Sequence, residues 1–256
     1  MPLRQSFAWW SFAQGKEKDP SLLGLAASIG FTGVDFLDEE LWPAAREAGL
    51  ALVVADGHAG ADTGENGFND RANHHGLRDE VRRNIEKAVR EEVGHLAVAF
   101  GNRHGLSDAD AVSVCAEGLA PVAAEAEEAG VGLLLEPLNS TVDHPGHQCD
   151  QSWLAFSVAR QVSSPALRIL YDAYHMQIME GNLLTTIGGN LRLIGHVHVA
   201  GVPGRGDLDH RQEVNWPAVA RLLRKHDYPG FVGHEYFPED GAATALARSF
   251  TVFAGG

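Results

Sequence analysis

Along the whole chain, short apolar runs alternate with longer amphipathic ones, and that alternation leaves few folds open. The apolar runs are SFAWW from position 6, GVDFL from 33, ALVVAD from 51, HLAVAF from 95, VGLLLEP from 131, LRILYD from 167, GHVHVA from 195 and GFVGHEYF from 230. Most are continuously apolar, the pattern of strands covered on both faces. Helix patterns lie between them. Asp19 and Pro20 predict an N-cap followed by a first-turn proline. Residues 77–94, LRDEVRRNIEKAVREEVG, predict a helix with charges outside and Gly94 at its end. Ser107 opens a longer helix that stops at Gly130 despite Pro121 inside it, and Asn215 with Pro217 opens another.

The order is therefore β then α, eight times over 256 residues, or about 32 residues per unit. Such alternation implies a parallel sheet with helices outside it. Eight units in this length predict a (β/α)8 TIM barrel formed by residues 1–256 as one domain. A doubly wound open sheet is the alternative, but no GxGxxG follows the first strand.

In a barrel of this kind the chemistry gathers where the strands end. The last four strands end on LLLEPLN, ILYDAYH, GHVHVAG and VGHEYFP, and offer Glu136, Asp172, His198 and Glu235. Alone, each has an ordinary reading. A strand-end carboxylate commonly caps a turn or joins a salt bridge. The alternation in HVHV puts His196 and His198 on one face, where either could be a core histidine. Four ligand-type residues on four successive strands predict instead one divalent-metal site. Three carboxylates and one imidazole suit manganese, magnesium or cobalt. No cysteine joins them, which argues against a structural zinc.

Other strand ends add candidates. His175 lies three residues past Asp172, where it could contact a substrate oxygen. Arg205, in GVPGRGD, could clamp a carboxylate or hydroxyl with its planar fork. Residues 201–212 are long for a βα loop and carry three glycines, which predicts a lid. Trp9 and Trp10 end the first strand, and Trp10 is a candidate pocket wall. His58, in ADGHAG, joins the substrate-binding candidates, and Asn102–Arg103 rank below them. His74 and His75 are adjacent, point apart and read as loop.

The formal net charge of −14 and the absence of any Lys/Arg block argue against nucleic acid as a partner. Cys115 and Cys149 lack a CxxC spacing and read as reduced thiols. No apolar run reaches the length of a membrane span, and the N-terminal stretch lacks an unbroken apolar segment with a cleavage site. The expectation is a cytoplasmic protein with a small-molecule substrate and no membrane partner. Homo-oligomerisation stays open.

Several stretches resemble hydroxypyruvate isomerases, within the xylose-isomerase-like (β/α)8 barrel superfamily. They are LLLEPLNS, DHPGH, YDAYHMQIMEGNL, IGHVHVAGVPGR, EVNW and DYPGFVGHEYFP, within residues 131–238. The resemblance implies an aldose–ketose-type isomerase of carbohydrate metabolism, in which Glu136 and Glu235 bind the metal and transfer the proton through an enediolate. It also implies Asp172 and residue 198 as further ligands, with His175 and Arg205 as substrate contacts. Position 198 is histidine, as in ketose 3-epimerases of the superfamily, where hydroxypyruvate isomerases tend to carry glutamine. The loop after PGR reads GDLDHRQEVN rather than the expected xEPGTGEIN.

The first expectation is thus a metal-dependent isomerase of a three- or four-carbon hydroxy-oxo acid, favoured by Arg205. A ketose 3-epimerase is the runner-up. An AP-endonuclease-like repair enzyme would need more ligands and a basic groove. A non-catalytic metal-binding protein would have no need of a facing pair of glutamates.

Overall fold

The computed structural model describes residues 2–16, 19–61 and 66–255. Eight parallel strands close into a barrel in chain order. They are β1 (Arg4–Ala8), β2 (Gly33–Asp35), β3 (Ala51–Asp56), β4 (His95–Val98), β5 (Gly132–Leu135), β6 (Leu167–Asp172), β7 (Ile194–Val199) and β8 (Phe231–His234). Helices lie between them, so the expected (β/α)8 class is the one observed.

Two compact units divide the chain. One comprises Met1–Val53, Asn182–Leu191 and His196–Gly256, and the other Val54–Gly181 and Arg192–Gly195. In the first, β1 pairs with β2, setting Ala8 opposite Asp35, and with β8, setting Phe7 opposite His234. There β8 also pairs with β7, with Gly233 opposite His198. Phe7 sits in an aromatic cluster, with ring centroids 6.0 Å from Phe12 and 5.7 Å from Phe31, while Phe12 lies 4.8 Å from Tyr236. All four are buried, each contributing on the order of 2 kcal/mol of hydrophobic stabilisation. In the second unit β4 pairs with β3 and β5, and β5 with β6. Leu133, Leu134 and Leu135 of β5 are buried in succession, as a strand covered on both faces requires.

The helix signals hold with local shifts. Ser107 caps Asp108–Ala129 by accepting from the Asp110 N–H at 3.2 Å, and the helix ends at Gly130 with Pro121 inside it. Asn215 caps Trp216–Lys225 in the same way, with Pro217 in the first turn. Asp19 accepts from the Ser21 N–H at 3.0 Å, but the helix begins at Ser21, after Pro20.

Three expectations need correction. The helix expected to end at Gly94 ends at Glu91, with Glu92 left-handed. The buried Val93 folds back, its N–H bonding the Ala88 carbonyl at 2.9 Å, and that apolar anchor sets the end. His74 and His75 are not loop: they open that helix, His74–Glu91, and His74 is buried with Nε2 2.9 Å from the Phe68 carbonyl. Trp9 and Trp10 do not end β1 but begin a one-turn helix, Trp9–Phe12, which buries Trp9 and leaves Trp10 38% exposed. Cys115 and Cys149 are both free and buried.

Candidate active site and metal centre

In the first unit the candidates converge on Glu235, the residue after β8. Its Oε1 accepts from the Trp10 indole N–H at 3.0 Å. Its Oε2 lies 2.6 Å from Arg205 Nη2 and 3.0 Å from His198 Nδ1. The Arg205 guanidinium also stacks over the Trp10 ring, 5.3 Å from its centroid. Arg205 has a left-handed backbone, φ 53°, in a loop pinned by the Gly201 N–H bond to the Gly206 carbonyl at 2.7 Å. Behind His198, at the end of β2, lies Asp35. Its Oδ2 receives Ser6 Oγ at 2.8 Å, His196 Nε2 at 3.0 Å and His198 Nε2 at 3.3 Å. Asp35, His196 and His198 are fully buried.

Such a cluster survives burial only because its charges pair. Burial raises the Glu235 carboxyl, but His198 and Arg205 outweigh it and hold the group well below the usual carboxylate range. Burial also raises Asp35, and the two imidazoles more than cancel that, leaving it well below the usual carboxylate range. Burial works against protonation of His198, yet Glu235 and Asp35 push it well above its ordinary value. His196, with the weaker set of partners, is pulled down by burial.

In the second unit, Glu136 directly follows β5 and is half-buried. Asp172 ends β6 and does what a strand-end carboxylate ordinarily does: its Oδ1 caps the helix Ala173–Met179, accepting from the Tyr174 N–H at 2.7 Å. Its Oδ2 lies 3.5 Å from His175 Nε2. His175 Nδ1 faces the Asn139 backbone N–H at 3.3 Å and the Asn139 side-chain amide at 2.6 Å. Those donors make Nδ1 an acceptor, which puts the ring proton on Nε2, toward Asp172. Asn139 is held in turn by Asp143 Oδ2 at 2.7 Å. His58, in the same unit, is buried, with Nε2 accepting from the Ala99 N–H at 3.0 Å and Nδ1 3.0 Å from the Ala59 carbonyl.

Glu136, Asp172, His198 and Glu235 each offer a ligand atom, all within 4.8 Å of one another, so these acidic and imidazole groups could hold a metal ion. A second such group is Asp35, His196 and His198. Asp35, Ser6 and Asn139 were absent from the sequence-derived set. Asp35 ends β2 in the structure, but in the sequence it sits inside the run GVDFL, which continues to Leu37 and hides that position. Ser6 and Asn139 carry no signal.

The model of the xylose isomerase-like TIM barrel family matches residues 23–252. The chain belongs to that family. Within it, hydroxypyruvate isomerase of Escherichia coli K12 is 31% identical over 238 residues, covering 86% of this chain and 88% of its own. A 2-oxo-tetronate isomerase of Pectobacterium atrosepticum is 29% identical over 239 residues, with the same coverage of 86% and 88%. Among solved structures, an AP endonuclease, family 2, from Brucella melitensis superposes with a TM-score of 0.86 at 26% identity, covering all of both chains. Among the described residues no helix is long and apolar enough to cross a membrane.

Proposed function

We propose that the chain is a divalent-metal-dependent isomerase of a small hydroxy-oxo acid of three or four carbons. Glu136, Asp172, His198 and Glu235 are the metal set, and Glu136 and Glu235 are the proton-transfer pair. The observation that carries this reading is the approach of four ligand atoms to within 4.8 Å of one another. Three oxygens and one imidazole nitrogen suit a hard or borderline ion such as manganese, magnesium or cobalt. His198 Nδ1 and Glu235 Oε2 lie 3.0 Å apart, and both could be among the groups that would hold the ion. When bound, the ion would stabilise negative charge on the substrate's carbonyl oxygen.

The chain's own residues do the rest. Trp10, Arg205 and His198 hold both Glu235 oxygens, so that carboxylate has one orientation from which to exchange a proton with substrate. Glu136, directly after β5, is its counterpart in the proton transfer. Arg205 brings the positive charge that a substrate carboxylate would seek in a chain of net charge −14. His175, steered by Asn139, presents an N–H beside Asp172. The names of the Escherichia and Pectobacterium relatives support the substrate class. A repair-enzyme reading, prompted by the Brucella structure's name, would set a polyanion against an acidic chain.

His198 favours a second reading, a ketose 3-epimerase, which uses the same two glutamates on opposite faces of one carbon. One experiment separates the two. Metal-loaded protein is offered hydroxypyruvate, four-carbon hydroxy-oxo acids and ketohexoses in heavy water. The isomerase reading expects turnover of the acids, with deuterium at the carbon that gains the proton. Deuterium at C3 of a recovered ketohexose, with the acids untouched, would replace it with the epimerase.

A further inference from the structure

We propose that Asp35 is a positioning residue: it fixes the His198 ring with the proton on Nε2 and the Nδ1 lone pair turned toward Glu235, the form in which His198 can ligate a divalent ion. The proposal rests on the metal reading above and adds a residue to it from a strand outside the four that supply ligands.

Three donors meet one oxygen. Ser6 Oγ, His196 Nε2 and His198 Nε2 lie 2.8, 3.0 and 3.3 Å from Asp35 Oδ2, in a fully buried setting. A carboxylate oxygen brings no proton, so each imidazole nitrogen facing it must carry one. For His198 that leaves Nδ1 as the lone-pair nitrogen, and Nδ1 is the atom 3.0 Å from Glu235 Oε2. A lone pair and a carboxylate oxygen at that distance repel unless a proton or a cation joins them. Without metal a proton serves; with metal it must leave, and the ring then stays correctly oriented only if its other nitrogen is held.

Packing prevents the ring from escaping. Gly233 faces His198 across the β7–β8 ladder. A Cβ at Gly233 would collide with Asp35 Oδ2 and lie 2.6 Å from His196 Nε2 and 2.6 Å from His198 Cδ2. The cluster is therefore pressed against bare backbone, which no other residue would allow. His196 meets the His198 ring edge to face, with centroids 4.7 Å apart and planes at 82°. His196 thus shares the anchor and braces the ligand.

The first test needs no variant. Protein labelled with 15N at histidine is titrated with 113Cd2+, and long-range proton–nitrogen spectra are recorded. The expected result is cadmium coupling to His198 Nδ1, with a proton retained on Nε2. Coupling to Nε2 would overturn the role of Asp35 while leaving the metal set intact. No coupling at either His198 nitrogen would remove His198 from the metal set, and both readings would fall.

Asp35→Asn keeps an acceptor but loses the charge. Mn2+ affinity measured by calorimetry should fall by about 10–100-fold in the folded variant. Ser6→Ala, which takes a donor from the same oxygen and leaves His198 its acceptor, should change it by less than about threefold. Unchanged affinity in folded Asp35→Asn, or equal loss in both variants, means that Asp35 only fills space. If Asp35→Asn does not fold, the spectra of the native protein still decide.

Discussion

Glu235 receives the Trp10 indole on one oxygen and the Arg205 guanidinium on the other, with His198 beside it. Glu136 and Glu235 are the proposed proton-transfer pair, and glutamine tests both, because it is nearly isosteric and can offer an oxygen but cannot take up a proton. Glu136→Gln and Glu235→Gln should fold, retain weak metal binding and each lose about 100-fold or more in turnover. The double variant should be little worse than either single one, as expected of groups acting as a unit. Steady-state kinetics on hydroxypyruvate checks this, and near-native turnover in either variant would contradict the assignment. Arg205 touches both Glu235 and the face of Trp10. Arg205→Lys loses the fork and should slow turnover of a carboxylate-bearing substrate more than any activity on a neutral ketose. Equal slowing on both would mean that Arg205 acts only through Glu235.

At the scale of elements, the segment between β5 and the helix Ser152–Val162 is tied down by many polar contacts. Asn139 Oδ1 accepts from the Val142 and Asp143 N–H groups, and Ser140 Oγ donates to Asp150 Oδ2 at 2.6 Å. His147 lies in its midst, fully buried, with neither ring nitrogen bonded among the described residues. Burial, aided by His144 and Arg103, pulls its pKa down to about 3. The unfolded chain takes up this proton near pH 6.5, and the folded one does not until about pH 3. The contribution to stability is therefore full above 6.5 and shrinks as pH falls toward 3. His234, also held at about 3, adds in the same sense. His147→Leu should flatten the acid limb of stability by about one proton, or about 1.4 kcal/mol per pH unit. Urea unfolding at pH 7, 6 and 5 measures it, and an unaltered slope would contradict the burial account.

Most of the elements were legible in the sequence because their signals are local. Ser107, Asn215 and Gly130 are chemical punctuation, and the apolar run of β5 is a packing demand. The misread places are tertiary. The end at Glu91 depends on Val93 finding a buried seat, and the turn at Trp9 depends on which of two tryptophans is buried. Asp172 was legible as a strand-end acid, and it is both a helix cap and a metal-set candidate. Asp35 was not singled out, because its meaning comes from three donors distant in sequence.

Across the molecule, the eightfold alternation, with no GxGxxG after the first strand, points to the closed barrel that is observed, and the family match over residues 23–252 agrees with it. The proposed function has the ends of four strands serve one ion. Anomalous diffraction from crystals soaked in Mn2+, collected above and below the manganese edge, is the decisive measurement. A single strong peak within bonding distance of Glu136, Asp172, His198 and Glu235 is expected. A peak elsewhere, or no peak with those four side chains turned into separate salt bridges, would contradict it.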